Sequence, residues 1–161
     1  MLFRSYTLQF LGTTDVFSLQ EYADNISIMS PRCMASAANI TYWMGQDKFY
    51  AYTGRVETLP CTLRDHVFNN INLNQAPQVI CGTNEQWNEI WWFYPAGTSE
   101  ECNNAIIYNI REQTWYDTEL PASGRASGQF NNGFAAPLLT DCVPTASGYR
   151  VWIHEQGTDE I

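Results

Sequence analysis

Clustered positive charge is the first thing this chain lacks. Its 161 residues carry 8 Lys plus Arg against 17 Asp plus Glu, a formal net charge of −9. Binding to a phosphate backbone needs grouped cations that displace counterions, so specific nucleic-acid recognition is not expected. Charge of either sign is scarce, at 16% of residues. No run approaches the ~18 apolar residues of a membrane helix. The N-terminal stretch from Met1 to Leu19 is interrupted by Ser5, Thr7, Gln9 and Asp15, where a secretory signal would need an unbroken apolar segment. The five cysteines, Cys33, Cys61, Cys81, Cys102 and Cys142, never form a CxxC pair. That excludes the usual zinc and redox spacings and leaves the cysteines as small buried hydrophobes.

Aromatic residues are what the chain has in their place, at 14%, nearly matching its charged residues. That balance suits flat strands covered on their faces and extensive contact between subunits. The length fits one domain, and a domain of this size hides roughly 70% of its unfolded surface.

The organisation is a succession of short strands punctuated by polar turns. Residues 5–11 and 16–22 flank Gly12-Thr13-Thr14-Asp15 and predict a hairpin. After a polar stretch over 23–31, strands are expected at 33–37, 40–44, 49–53 and 55–59, with turns at Gly45-Gln46-Asp47-Lys48 and at Gly54. Over 61–71 the period changes, with Leu63, Val67, Phe68 and Ile71 at helical spacing. Thr62 and Asp65 are placed as a capping box. A second set of strands follows at 79–83, 89–94, 104–110 and 115–120. Residues 121–132 read as a Gly/Ser/Asn linker, before strands at 134–139 and 149–155.

Repeated four-stranded meanders of about forty to fifty residues are the pattern of β-propeller blades. The expected class is therefore all-β: one partial propeller-like domain over 1–161 with one short helix. Its blades lie at about 33–60 and 78–121, with incomplete sheets at 5–22 and 134–155. Propellers usually need at least four blades. The chain is then either a piece of a longer protein or is completed by another chain.

Several motifs in order carry a family likeness. They are Gln9-Phe10-Leu11-Gly12, Val16-Phe17-Ser18, Ile28-Met29-Ser30-Pro31-Arg32, and Tyr42-Trp43-Met44-Gly45 running on through Phe49-Tyr50, Leu59-Pro60-Cys61-Thr62 and Arg64-Asp65. They continue as Asn88-Glu89-Ile90-Trp91-Trp92-Phe93-Tyr94-Pro95, Tyr108-Asn109, Trp115 and His154-Glu155 with Gly157 and Asp159. In this series the chain resembles a family of tailed-bacteriophage virion proteins that carry a propeller domain. The resemblance implies a structural part of the virion tail, similar to hub or nozzle proteins. Its partners would be copies of itself and neighbouring tail proteins, arranged around the DNA channel. It implies manufacture in the host cytoplasm, no cofactor and no catalytic residue, and a truncated or subdivided version of longer relatives. Arg125-Ala126-Ser127 departs from the family's pattern after the Trp115 blade. A negative surface fits passive contact with translocating DNA, as the wall of a channel in which DNA slides without sticking.

Several residues could carry chemistry instead. His154-Glu155 lacks the HExxH spacing of a metal site, and only His66 accompanies it. Asp65 and His66 are adjacent on the predicted helix, about 100° apart, and no GxSxG elbow is present. Glu85, Glu89, Glu100 and Glu101 are the carboxylates a glycosidase would draw on, and they are placed on turns or loops. Trp87, Trp91, Trp92, Phe93 and Tyr94 could form a sugar-stacking platform for a host-receptor or carbohydrate-binding module. Strand alternation instead sets Trp91 and Phe93 on one face and Trp92 and Tyr94 on the other, which fits a sheet enclosed on both sides.

Overall fold

The computed structural model describes residues 4–24, 26–120, 125–129, 137–141 and 144–154. Antiparallel strand dominates these residues, and helix is limited to two short elements. At the N-terminus β1 (Arg4–Phe10) and β2 (Phe17–Asp24) form a hairpin with Leu8 opposite Leu19 and Phe10 opposite Phe17. Gly12, at φ 64°, supplies the left-handed residue of its turn, and Leu11 N donates to Val16 O at 3.1 Å.

The first sheet is a meander of β3 (Met34–Ala37), β4 (Ile40–Met44), β5 (Phe49–Tyr52) and β6 (Val56–Leu59), paired in chain order. A helix, α1 (Arg64–Asn70), and a 3-10 helix (Leu73–Gln78) lead out of it. The second sheet repeats the meander with β7 (Ile80–Asn84), β8 (Glu89–Tyr94), β9 (Asn104–Asn109) and β10 (Thr114–Glu119). A third sheet has β12 (Leu138–Asp141) between β11 (Arg125–Gln129) and β13 (Val151–Ile153).

The fold departs from two sequence expectations and adds one element outside them. The stretch taken as a linker contains β11, whose residues lack the β-branched and aromatic side chains that advertise a strand; it is held by backbone pairing to β12. The helix begins at Arg64, and the Thr62–Asp65 capping box does not form: Leu63 is the N-cap and makes no side-chain cap hydrogen bond. The 3-10 helix was not foreseen; Asn72 caps it, its side chain accepting from Asn74 N at 3.2 Å. The parts of the expected last two strands at 134–136 and at Glu155 lie outside the described residues.

Two apolar cores result. One joins Tyr42, Met44, Phe49 and Ala51 of the first sheet to Ile90, Trp92, Tyr94, Ile106 and Tyr108 of the second. Val67 and Ile71 close it, and Phe68 packs on Phe49 at 5.3 Å, so the apolar side of α1 lies against the sheet it leaves. The second core holds Ile80, Trp91, Phe93, Ala105 and Ile107 against Leu139 of the third sheet. The middle sheet is therefore enclosed on both faces, and all six residues of β8 are buried. The connector between the hairpin and β3 ties the first two sheets together. Ser30 Oγ donates to Val79 O, Cys81 N donates to Arg32 O at 2.9 Å, and Trp92 Nε1 donates to Cys33 O at 3.0 Å.

Candidate functional site

The residues with catalytic potential are scattered, and their polar atoms are engaged in holding elements together. His66 turns away from Asp65, as adjacent helix positions require; Asp65 accepts from Arg64 Nη1 at 2.8 Å. His66 Nε2 instead lies 3.2 Å from Asp117 Oδ2 on β10, a partner that no local spacing announces. Both groups are partly exposed, and no serine or cysteine hydrogen-bonds to His66 among the described residues. The pair is a surface tie between α1 and β10, of the kind worth at most ~1 kcal/mol. His154 follows the end of β13: its backbone N donates to Pro137 O at 2.8 Å and its ring meets Trp91 edge-on at 6.1 Å. The crevice between Trp91, Pro137, Leu139 and His154 is too tight to admit a water molecule. Among the described residues no three His, Cys, Asp or Glu side chains gather where they could hold a metal ion.

The carboxylates divide. Glu85 and Glu100 are exposed and Glu101 is half-buried in a loop, whereas Glu89 opens β8 and is buried. This corrects its placement among solvated turn residues. One Glu89 oxygen accepts from Trp91 Nε1 at 2.8 Å and the other from the Tyr116 hydroxyl, so the group bridges β8 to its own strand neighbour and to β10. Asp141, also buried, accepts from Trp152 Nε1 and from Arg150 Nε, and the Arg150 guanidinium lies 4.9 Å from the Trp152 ring centre. Sequence reasoning missed Asp141 because its partners come from the next strand.

The aromatic row divides as well. Trp92 and Tyr94 are fully buried in the first core and Phe93 in the second, with Trp91 beside it. Only Trp87 of the row, 52% exposed in the β7–β8 turn, meets solvent, a correction to its inclusion with the others. A sugar platform would need several exposed rings side by side.

The cysteines act as apolar fillers. Cys33 and Cys102 are buried, with Cys33 Sγ donating to Met44 O at 3.2 Å and Cys102 Sγ to Gln78 O at 3.2 Å. Cys61 and Cys81 pack against the first core, and all four are free thiols. Burial pushes the Cys61 thiol up to about 11, with the Leu63 backbone and Arg64 opposing it more weakly. Burial, with Cys33 adding to it, holds Cys81 well above its ordinary value. Thiols so protonated are poor nucleophiles. Cys142 lies outside the described residues.

Several large apolar side chains remain exposed. On the hairpin, Tyr6, Leu8 and Phe10 alternate along β1 and face Phe17 and Leu19 across the ladder; Leu8 and Leu19 are each 66% exposed and Phe10 67%. On the third sheet, Val151 and Ile153 point away from the buried side of β12 and stay exposed, as does Tyr149 before them. No helix among the described residues is long and apolar enough to cross a membrane. Compared with models of protein families and with curated proteins, the chain matches none.

Proposed function

We propose that this protein is a non-enzymatic structural component of a bacteriophage virion tail, similar to a hub or nozzle subunit. In this reading its sheets are blades of a partial β-propeller, and symmetric contacts between copies close around the DNA channel. The observation that carries the proposal is the middle sheet. Its Trp92 and Tyr94 side packs on one four-stranded meander and its Trp91 and Phe93 side on the third sheet. Stacked sheets filled with aromatics make a stiff body, because side chains packed at crystal-like density resist deformation. The described carboxylates that are buried serve as hydrogen-bond anchors, leaving little for a paired-carboxylate hydrolase to use. The net charge of −9 supports a channel wall that DNA passes without adhering.

The host-receptor or carbohydrate-binding alternative gains no such support from the row Trp87, Trp91, Trp92, Phe93 and Tyr94, of which Trp87 alone is exposed. Mass spectrometry of purified, intact particles tests the proposal. The chain is expected in stoichiometric, multi-copy amounts. Its absence from particles, or turnover of a glycan substrate that disappears when Glu89 is changed to Gln, would overturn the reading.

A further inference from the structure

We infer that the apolar face of the N-terminal hairpin docks on the outer face of the third sheet of a second copy, head to tail. This rests on the assembly reading above and specifies its contact.

The hairpin buries almost nothing within its own chain. Of its described side chains between Tyr6 and Glu21, all but Ser18 are exposed, and none of them joins either core. A lone two-stranded hairpin is marginal in water, and one with an apolar face gains its order by covering that face. Tyr6, Leu8, Phe10, Phe17 and Leu19 share one side of the ribbon, with the two phenylalanine rings edge-to-face at 5.7 Å. At the exposures found, these five side chains offer on the order of 500 Å² of apolar surface. That is at the upper end of what a monomer leaves open and approaches the ~800 Å² per partner of a standard interface.

The second copy is the occupant because the same chain carries a matching surface at its other end. Val151 and Ile153 line the outer face of the third sheet, beside half-buried Leu138 and Thr140, with exposed Tyr149 just before the strand. The chain already covers the faces of its middle sheet this way, first sheet on second and second on third. A hairpin from the next copy laid on the third sheet continues that stack by one layer. The charge balance differs in sign: residues 4–24 carry Arg4 against Asp15, Glu21 and Asp24, whereas residues 125–129, 137–141 and 144–154 carry Arg125 and Arg150 against Asp141, to which Arg150 is paired. Two different patches on one chain make a heterologous contact, which closes into rings or runs into filaments, whereas hairpin-to-hairpin pairing would leave the third sheet bare.

Mixing two variants tests this. Leu8→Glu with Leu19→Glu disables the hairpin face, and Val151→Glu with Ile153→Glu disables the sheet face. All four positions are exposed, so the fold is expected to survive, checked by near-ultraviolet circular dichroism of the buried tryptophans. In sedimentation velocity the wild type is expected to assemble, and each variant alone to remain monomeric with self-affinity weakened at least ~10-fold, about 1.4 kcal/mol. The equimolar mixture is expected to form dimers and stop there, because it retains one intact contact. Overturning results are a wild type that stays monomeric, a sheet-face variant that still dimerises alone, or a mixture that stays monomeric. Assembly unchanged by either variant, with the chain present in particles, sinks the docking mode and leaves the virion role standing.

Discussion

Tyr94 ends β8 with its ring fully buried and its hydroxyl without a hydrogen-bond partner. Burial, and to a lesser degree the nearby Asp117 carboxylate, pushes it up to about 12 from 10.0. Burial also raises Tyr42 and Tyr108 in the same core. A folded-state value above the unfolded one means that the folded protein holds the phenolic proton more tightly. The stabilisation is therefore complete below pH 10 and is lost as pH rises toward 12. Denaturation across that range is expected to show falling stability in the wild type and a shallower fall in Tyr94→Phe. At neutral pH Tyr94→Phe is expected to be neutral or stabilising, since it removes an unpaired buried hydroxyl. Identical alkaline profiles would contradict this. Trp92 is the opposite case, because its ring meets Phe49 at 5.0 Å and Trp115 at 5.9 Å while its indole N–H is satisfied by Cys33 O. Trp92→Ala is expected to cost about 3–5 kcal/mol in urea unfolding, through the cavity left between two sheets. A cost under ~1 kcal/mol would mean that the sheets do not rely on this contact.

At the scale of elements, the β4–β5 turn shows how tightly the first sheet is fitted. Gly45 N donates to Lys48 O at 2.8 Å, and Ser27 Oγ accepts from Gln46 N at 2.9 Å. A Cβ on Gly45 would lie 2.6 Å from Tyr50 Cε2 and 2.9 Å from both Lys48 O and Ser27 Oγ. Two of those three are held in the turn's own hydrogen bonds. Gly45→Ala is expected to destabilise by about 1–3 kcal/mol and to disturb the Trp43–Tyr50 stack, visible in near-ultraviolet circular dichroism. An unchanged spectrum and midpoint would contradict the account of this turn.

The strands at Ile40–Met44 and Glu89–Tyr94 were legible to the residue, because aromatic strands flanked by Gly, Asn and Asp leave no helical period to compete. The face assignment of Trp91 to Tyr94 followed from alternation alone. β11 was not legible, since Arg-Ala-Ser-Gly-Gln gives no local signal and depends on β12 for its shape. Nor were the His66–Asp117 and Asp141–Trp152 contacts, which join residues brought together only by sheet pairing and packing. The exposure of Trp87 was not legible either, because its residue type says nothing of whether the turn carrying it leans inward.

At the scale of the molecule, the described chain is a stack of three sheets with a hairpin set apart and apolar surface left open on the hairpin and the third sheet. A lone soluble body gains nothing from such faces, whereas a repeating assembly uses them as joints. The central claim is that copies of this chain continue the stack around a channel in the virion tail. A symmetry-resolved electron cryomicroscopy reconstruction of purified particles tests it most directly. The account predicts a ring of identical copies in the tail, each with the Trp92 and Trp91 layers between its sheets and its neighbour's hairpin on the third sheet. A tail reconstruction with no density for this chain, or one placing it as isolated copies with bare hairpins, would contradict it.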